Sequence, residues 1–193
     1  MGEHEDGSMS LTTNVTFLEK IIDGDEISWD NFSAIYSPLI RECGKQWALS
    51  EDECDELVQE VLITFFSNSK TFKYDRSKGK FRSYLRNTAR KHTFAILKRR
   101  DADKLPGNDS LLDYAFDEKW DAEWHNFLCA EALKILATEM EELSYRSFYM
   151  YVMEEIPPAD VAAKLGISIN AVYVNKSRAL EHLRRTIRTL ECL

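Results

Sequence analysis

The chain has 193 residues, with 25 Lys and Arg against 33 Asp and Glu, a formal net charge of −8 and an apolar fraction of 44%. That length permits one domain or two small ones, and the balance is that of an ordinary soluble protein. No run approaches the roughly 20 apolar residues that cross a bilayer, and Cys43, Cys54, Cys129 and Cys192 stand without CxxC or Cys/His clustering, which argues against a zinc site or a disulfide scaffold and fits a reducing, cytoplasmic compartment.

Residues 1–10, MGEHEDGSMS, are acidic, polar and aperiodic. They read as a disordered start, not a signal peptide, with Gly7-Ser8-Met9 as a tag remnant. Residues 11–100 make the first expected domain. Phe17, Leu18, Ile21 and Ile22 precede Gly24, and Trp29, Phe32, Ile35, Tyr36, Leu39 and Ile40 follow it. The spacing predicts two amphipathic helices, the second over about 28–48. Trp29 and Trp47 are assigned to packing.

Ser50 followed by Glu53 is a capping box, so a helix is expected from about Glu51 to about Asn68. Glu51 and Asp52 suit the positive end of its dipole. Leu57, Val61, Leu62, Phe65 and Phe66 supply a buried face. Asp55, Glu56, Gln59 and Glu60 lie partly outside it, as either a solvated face or a surface for a partner. Glu56 and Glu60 share an i, i+4 spacing, but no histidine joins them and the paired motif of helical di-metal sites is missing.

Residues 73–100 hold eleven Lys and Arg against one acid, Asp75, a net +10 inside a chain of net −8. Such segregation is the footprint of a polyanion site. Phe72, Tyr74, Phe81, Tyr84 and Phe94 interleave with the charge, and aromatics hold unstacked bases in single-strand sites. Residues 70–80 read as a loop, and a helix follows from about Phe81. Phe81, Leu85, Ala89, His92 and Ile96 recur at helical spacing and form its inner face. Arg82, Arg86 and Arg90 stand at i, i+4, i+8 and share one stripe, either a solvated basic face or a grip on nucleic acid.

From 101 to 126, eight acids oppose only Lys104 and Lys119. Pro106 and Gly107 break helix, and this stretch is the expected linker. Leu111, Leu112, Tyr114, Phe116, Trp120 and Trp124 are embedded in it. It reads either as an acidic strand for a partner's basic channel or as a linker whose end begins the next helix.

Residues 127–193 make the second expected domain. One helix runs to about Glu142, and Ser144 is placed to cap another. Pro158 suits the first turn of a helix, with Val161, Ala162 and Leu165 inward. Gly166 permits a left-handed turn, and Ser168 or Asn170 can cap a second helix cored by Val172, Ala179, Leu183 and Ile187. Helix, short turn with Gly, helix is a helix-turn-helix pattern. Asn170, Tyr173, Val174, Ser177 and Arg178 then lie opposite or flanking the core stripe, where they could reach base edges or phosphates. Arg184, Arg185 and Arg188 add charge beyond them. His4, His92, His125 and His182 form no catalytic set. The expected fold class is therefore all-α: two small helical domains joined by an acidic linker, the second containing a helix-turn-helix.

Three motifs in this order resemble the extracytoplasmic-function group of the bacterial sigma-seventy family, over about residues 15–190. They are Asp55-Glu56-Leu57-Val58-Gln59-Glu60-Val61; Phe81-Arg82-Ser83-Tyr84-Leu85 with Ala89-Arg90; and Glu155-Ile156 through Val161-Ala162, Leu165-Gly166-Ile167-Ser168, Val172 and Arg178-Ala179. The resemblance implies a region 2 domain over 11–100 and a region 4 domain over 127–193. It implies that Asp55, Glu56, Gln59 and Glu60 bind core RNA polymerase. Lys80, Arg82, Tyr84, Arg86, Arg90, Lys91, Lys98 and Arg99 would hold the minus-ten promoter element, and Ser168, Asn170, Tyr173, Val174, Ser177 and Arg178 the minus-thirty-five element. The linker would thread toward the polymerase cleft. The family often has Asn at Lys91, Asp at Ala95, and Lys or Arg at Tyr173 and Asn175.

The function so implied is a sigma factor that directs promoter recognition, melting and initiation. Its partners would be core polymerase, promoter DNA and an anti-sigma factor, with no membrane insertion. It would be no enzyme, with no catalytic residues, metal or cofactor of its own. A stand-alone helix-turn-helix regulator that binds duplex DNA without polymerase is the alternative.

Overall fold

The computed structural model describes residues 26–69, 81–100 and 109–191. Among them stand seven helices and no strand, so the protein is all-α. They are α1 (Glu26–Gln46), α2 (Glu51–Ser69), α3 (Phe81–Arg100), α4 (Asp109–Glu139), α5 (Glu142–Val152), α6 (Pro158–Leu165) and α7 (Ile169–Glu191). The chain divides into two compact units between Phe127 and Leu128. The expected first helix and the 70–80 loop, with Phe72, Tyr74 and Lys80, lie outside the described residues.

In the N-terminal unit α1 packs on α2 and α2 on α3. Phe32, Phe65, Phe81, Leu57 and Leu85 are fully buried or nearly so. Phe32 stacks on Phe65 with ring centroids 4.6 Å apart, and Phe81 meets both edge-on. Burying each such side chain is worth roughly 1.5–3 kcal/mol.

The joint between α1 and α2 shows why the sequence turns there. Leu49 N–H donates to Gly44 O (3.2 Å) and Ala48 N–H to Lys45 O (2.9 Å), the two reverse bonds of a Schellman ending. Ala48 occupies its left-handed position at φ 52°. A Cβ at Gly44 would sit 3.0 Å from Cys54 Sγ and 3.2 Å from Leu57 Cδ2, so a larger residue there would have to push these side chains back by a few tenths of an ångström. Burial there pushes the Cys43 thiol up to about 12. The expected capping box is in place: Ser50 N–H donates to Glu53 Oε2 (2.8 Å), and Glu53 N–H to Ser50 Oγ (3.3 Å).

The 101–126 linker is corrected over its second part. Residues 109–126 are the first half of the 31-residue helix α4. The apolar residues recur at helical spacing, and Leu112, Phe116, Trp120 and Trp124 are buried. Phe116 packs against Trp47 (5.8 Å) and Phe94 (5.7 Å), which seals it into a core.

In the C-terminal unit α5, α6 and α7 pack on one another. Met150, Val161, Ala162 and Val172 form one core, and Leu136, Phe148 and Ala179 a second. Leu183 and Ile187, expected beside them, are half-buried. The cap of α5 is Glu141 and not Ser144: its carboxylate reaches the N–H groups of Leu143 (3.0 Å) and Ser144 (2.8 Å), which places Ser144 inside the first turn. Those bonds hold the Glu141 carboxyl below its ordinary range. Pro158 opens α6, and Gly166 ends it at φ 66°, ψ 30°. Ser168 Oγ accepts from Ala171 N–H (3.1 Å) and starts α7. The unit thus contains a helix-turn-helix.

Candidate nucleic-acid and partner interfaces

The α3 arginine stripe meets a matching stripe of acids. Arg82 pairs with Asp121 (2.5 Å), Arg86 with Asp117 (3.3 Å), and Arg90 with Asp113 (3.5 Å) and Asp117 (3.8 Å). The ladder runs antiparallel, each rung one helical turn from the next. All three arginine side chains are 26–28% exposed. The Arg82 guanidinium also lies over the Trp124 ring, 5.3 Å from its centroid. The sequence held the signal for this: Asp109, Asp113, Asp117 and Asp121 repeat every fourth residue, the interval of Arg82, Arg86 and Arg90.

A second ladder joins α2 to α3. Arg99 Nη2 donates to both Glu56 oxygens at 2.6 and 2.7 Å, and Arg100 Nη1 to Glu53 Oε2 at 3.0 Å. The Glu53 carboxyl lies below its ordinary range, chiefly through the Ser50 N–H bond. His92 Nε2 is 2.8 Å from Thr64 Oγ1, and its Nδ1 is 3.8 Å from Glu60 Oε2. Burial lowers the His92 pKa, with Glu60 opposing. Asp55 pairs with Arg41 of α1. Of the candidate partner residues, Gln59 and Asp55 are exposed, while Glu56 and Glu60 are half-buried and engaged by α3.

The α3 candidates therefore separate. Arg82, Arg86, Arg90 and Arg99 are ion-paired within the chain, whereas Lys91 and Lys98 are exposed. Tyr84 is half-buried, 6.2 Å from the Phe81 ring and 6.0 Å from Phe65.

On α7, Asn170, Tyr173, Val174, Ser177 and Arg178 are all exposed and follow i, i+3, i+4, i+7 and i+8 along one face. Ser168 is exposed at the turn while it caps. Tyr173 leans edge-on against Tyr151 (5.8 Å), and Lys176 Nζ sits over the Tyr151 ring (5.0 Å). Arg184, Arg185 and Arg188 are exposed further along. Asn175 is buried, which excludes it from that face.

No family model matches the chain. No curated protein matches it in sequence. Among solved structures it is similar to that of CnrH in complex with the cytosolic domain of CnrY, at 15% identity over 89% of this chain and 94% of that one, with a TM-score of 0.39. A likeness at that score carries no argument for the role of either unit.

Proposed function

We propose that the protein is a promoter-specificity subunit of the sigma-factor type, which binds core RNA polymerase and reads promoter DNA through its C-terminal unit. The observation that carries this reading is the exposed face of α7, with Asn170, Tyr173, Val174, Ser177 and Arg178 aligned behind a Gly166 turn. A recognition helix needs that combination: a rigid first helix, a tight turn, and short polar and basic side chains aimed outward from the start of the second. The three sequence motifs support the polymerase part of the reading. In it Asp55, Glu56, Gln59 and Glu60 face polymerase, and Lys80, Arg82, Tyr84, Arg86, Arg90, Lys91, Lys98 and Arg99 serve the melted strand. The subunit would be non-catalytic and would answer to an anti-sigma partner.

One observation favours the alternative of a stand-alone regulator. The α3 stripe is occupied by acids of the same chain, while the α7 face is open. Run-off transcription with purified bacterial core polymerase and genomic promoter fragments separates the two. The sigma reading expects promoter-directed transcripts only when the protein is added, and weak duplex binding without polymerase. Tight duplex binding by the protein alone, with no transcripts, sinks it.

A further inference from the structure

We infer that the acidic half of α4 is an internal stand-in for nucleic acid: it occupies the Arg82–Arg86–Arg90 stripe in the free chain and must yield that stripe to the phosphates of single-stranded DNA. The inference rests on the DNA-binding reading of α3 given above.

Three features of the α3–α4 contact carry it. First, its polar half is a repeat of charges and not a mixed surface. Carboxylates at Asp113, Asp117 and Asp121 are one helical turn apart, about 6 Å, on the order of the phosphate interval of an extended strand. Second, the rungs are loose along part of the ladder. Only Arg82–Asp121 is short at 2.5 Å, and the Arg86 and Arg90 rungs run from 3.3 to 3.8 Å. Third, buried polar atoms without a hydrogen-bond partner concentrate here. Among the described residues seven are found; four belong to this contact, Arg86 Nε, Asp117 Oδ1, Trp120 Nε1 and Trp124 Nε1, and a fifth, Trp47 Nε1, belongs to a ring packed against Phe94 and Phe116. Buried unsatisfied groups are disfavoured, so the contact is less favourable than its apolar burial alone implies. Phe116 and Trp120 still hold α4 in place, which keeps the free chain in the closed arrangement. Phosphate oxygens would take the bidentate geometry that guanidinium favours and would release counterions from the DNA.

The test uses the full chain and a fluorescein-labelled single-stranded oligonucleotide, with affinity read by anisotropy. Substituting Asp113→Asn, Asp117→Asn and Asp121→Asn together should tighten binding roughly tenfold or more at low salt. A control carrying Asp52→Asn, Glu118→Gln and Glu142→Gln changes the net charge equally at exposed positions and should give a much smaller gain. Adding Arg82→Gln, Arg86→Gln and Arg90→Gln to the first variant should erase its gain. Equal gains in variant and control, or a gain that survives loss of the arginines, overturns the inference. Hydrogen exchange on the unaltered protein guards against a variant that fails to fold. Amides of residues 109–126 should exchange faster when the oligonucleotide is added, and unchanged or slower exchange counts against it. Failure of the sigma reading is distinct, because run-off transcripts would be missing whether or not these variants bind more tightly.

Discussion

Helices α3 and α7 are both cationic, yet the fold treats them differently. On α3 the arginine stripe is covered, rung by rung, by Asp121, Asp117 and Asp113. On α7, Arg178, Arg184, Arg185 and Arg188 are exposed, and among the described residues none of them has an ion pair. Positive charge in sequence therefore marks a surface open to polyanions in the free chain only where the same chain does not supply the anions. In the N-terminal unit it does, through α4. In the C-terminal unit the arginines on α7's outer face meet no such row of acids among the described residues, and they stay exposed.

The largest effect that can break this contrast is loss of the apolar anchor beneath the acidic ladder. Trp120 is fully buried and stacks on Phe116 (6.4 Å) and Trp124 (6.3 Å). Trp120→Ala should destabilise the protein by about 3–5 kcal/mol, measured by urea unfolding with a probe in each unit. If residues 109–126 were a linker, the loss would be within about 0.5 kcal/mol, and the covered state of α3 would lose its support.

A smaller effect should separate the two helices directly. Arg178→Ala should weaken duplex binding by about 1–2 kcal/mol, or roughly tenfold, because the side chain is already free to meet DNA. Arg86→Ala should leave duplex affinity of the free chain nearly unchanged, since its guanidinium is spent on Asp117. Anisotropy titrations with one promoter duplex compare the two variants. A larger loss from Arg86→Ala would invert the comparison and place the open DNA surface on α3.

Much of this was legible in the chain. The all-α class followed from periodicity, and the helix-turn-helix from Pro158, Gly166 and Ser168, each of which has a local physical duty that the structure retains. The Ser50–Glu53 box was readable for the same reason. The covering of α3 is not legible in the same way, because it depends on two segments meeting across an intervening stretch of sequence. Arg82, Arg86 and Arg90 share their interval with Asp113, Asp117 and Asp121, but an equal interval fixes neither orientation nor contact. Those came from Phe116 and Trp120, whose burial turns the acids of α4 onto the arginines. Glu141 outcompeted Ser144 as a cap because a carboxylate one residue outside the helix reaches two N–H groups at once.

The mildest expected effect concerns proton uptake on α3. His92 is half-buried, bonded to Thr64, with Glu60 on one side and Lys91 beside it on its own helix. Burial is the largest influence and lowers its pKa below the ordinary 6.5, Lys91 adds to this, and Glu60 opposes both. A histidine whose folded pKa is depressed favours the folded state while neutral. Its contribution is present above the unfolded pKa and declines as pH falls through 6.5 toward the folded value. Urea midpoints of the unaltered protein should thus drop between about pH 7.5 and about pH 5.5, and His92→Gln should flatten that part of the slope. A midpoint that rises on acidification would mean that the Glu60 carboxylate, 3.8 Å away, outweighs burial. The α2–α3 seam would then gain from protonation, and α3 would be more strongly held by acids of its own chain than its arginine stripe alone implies.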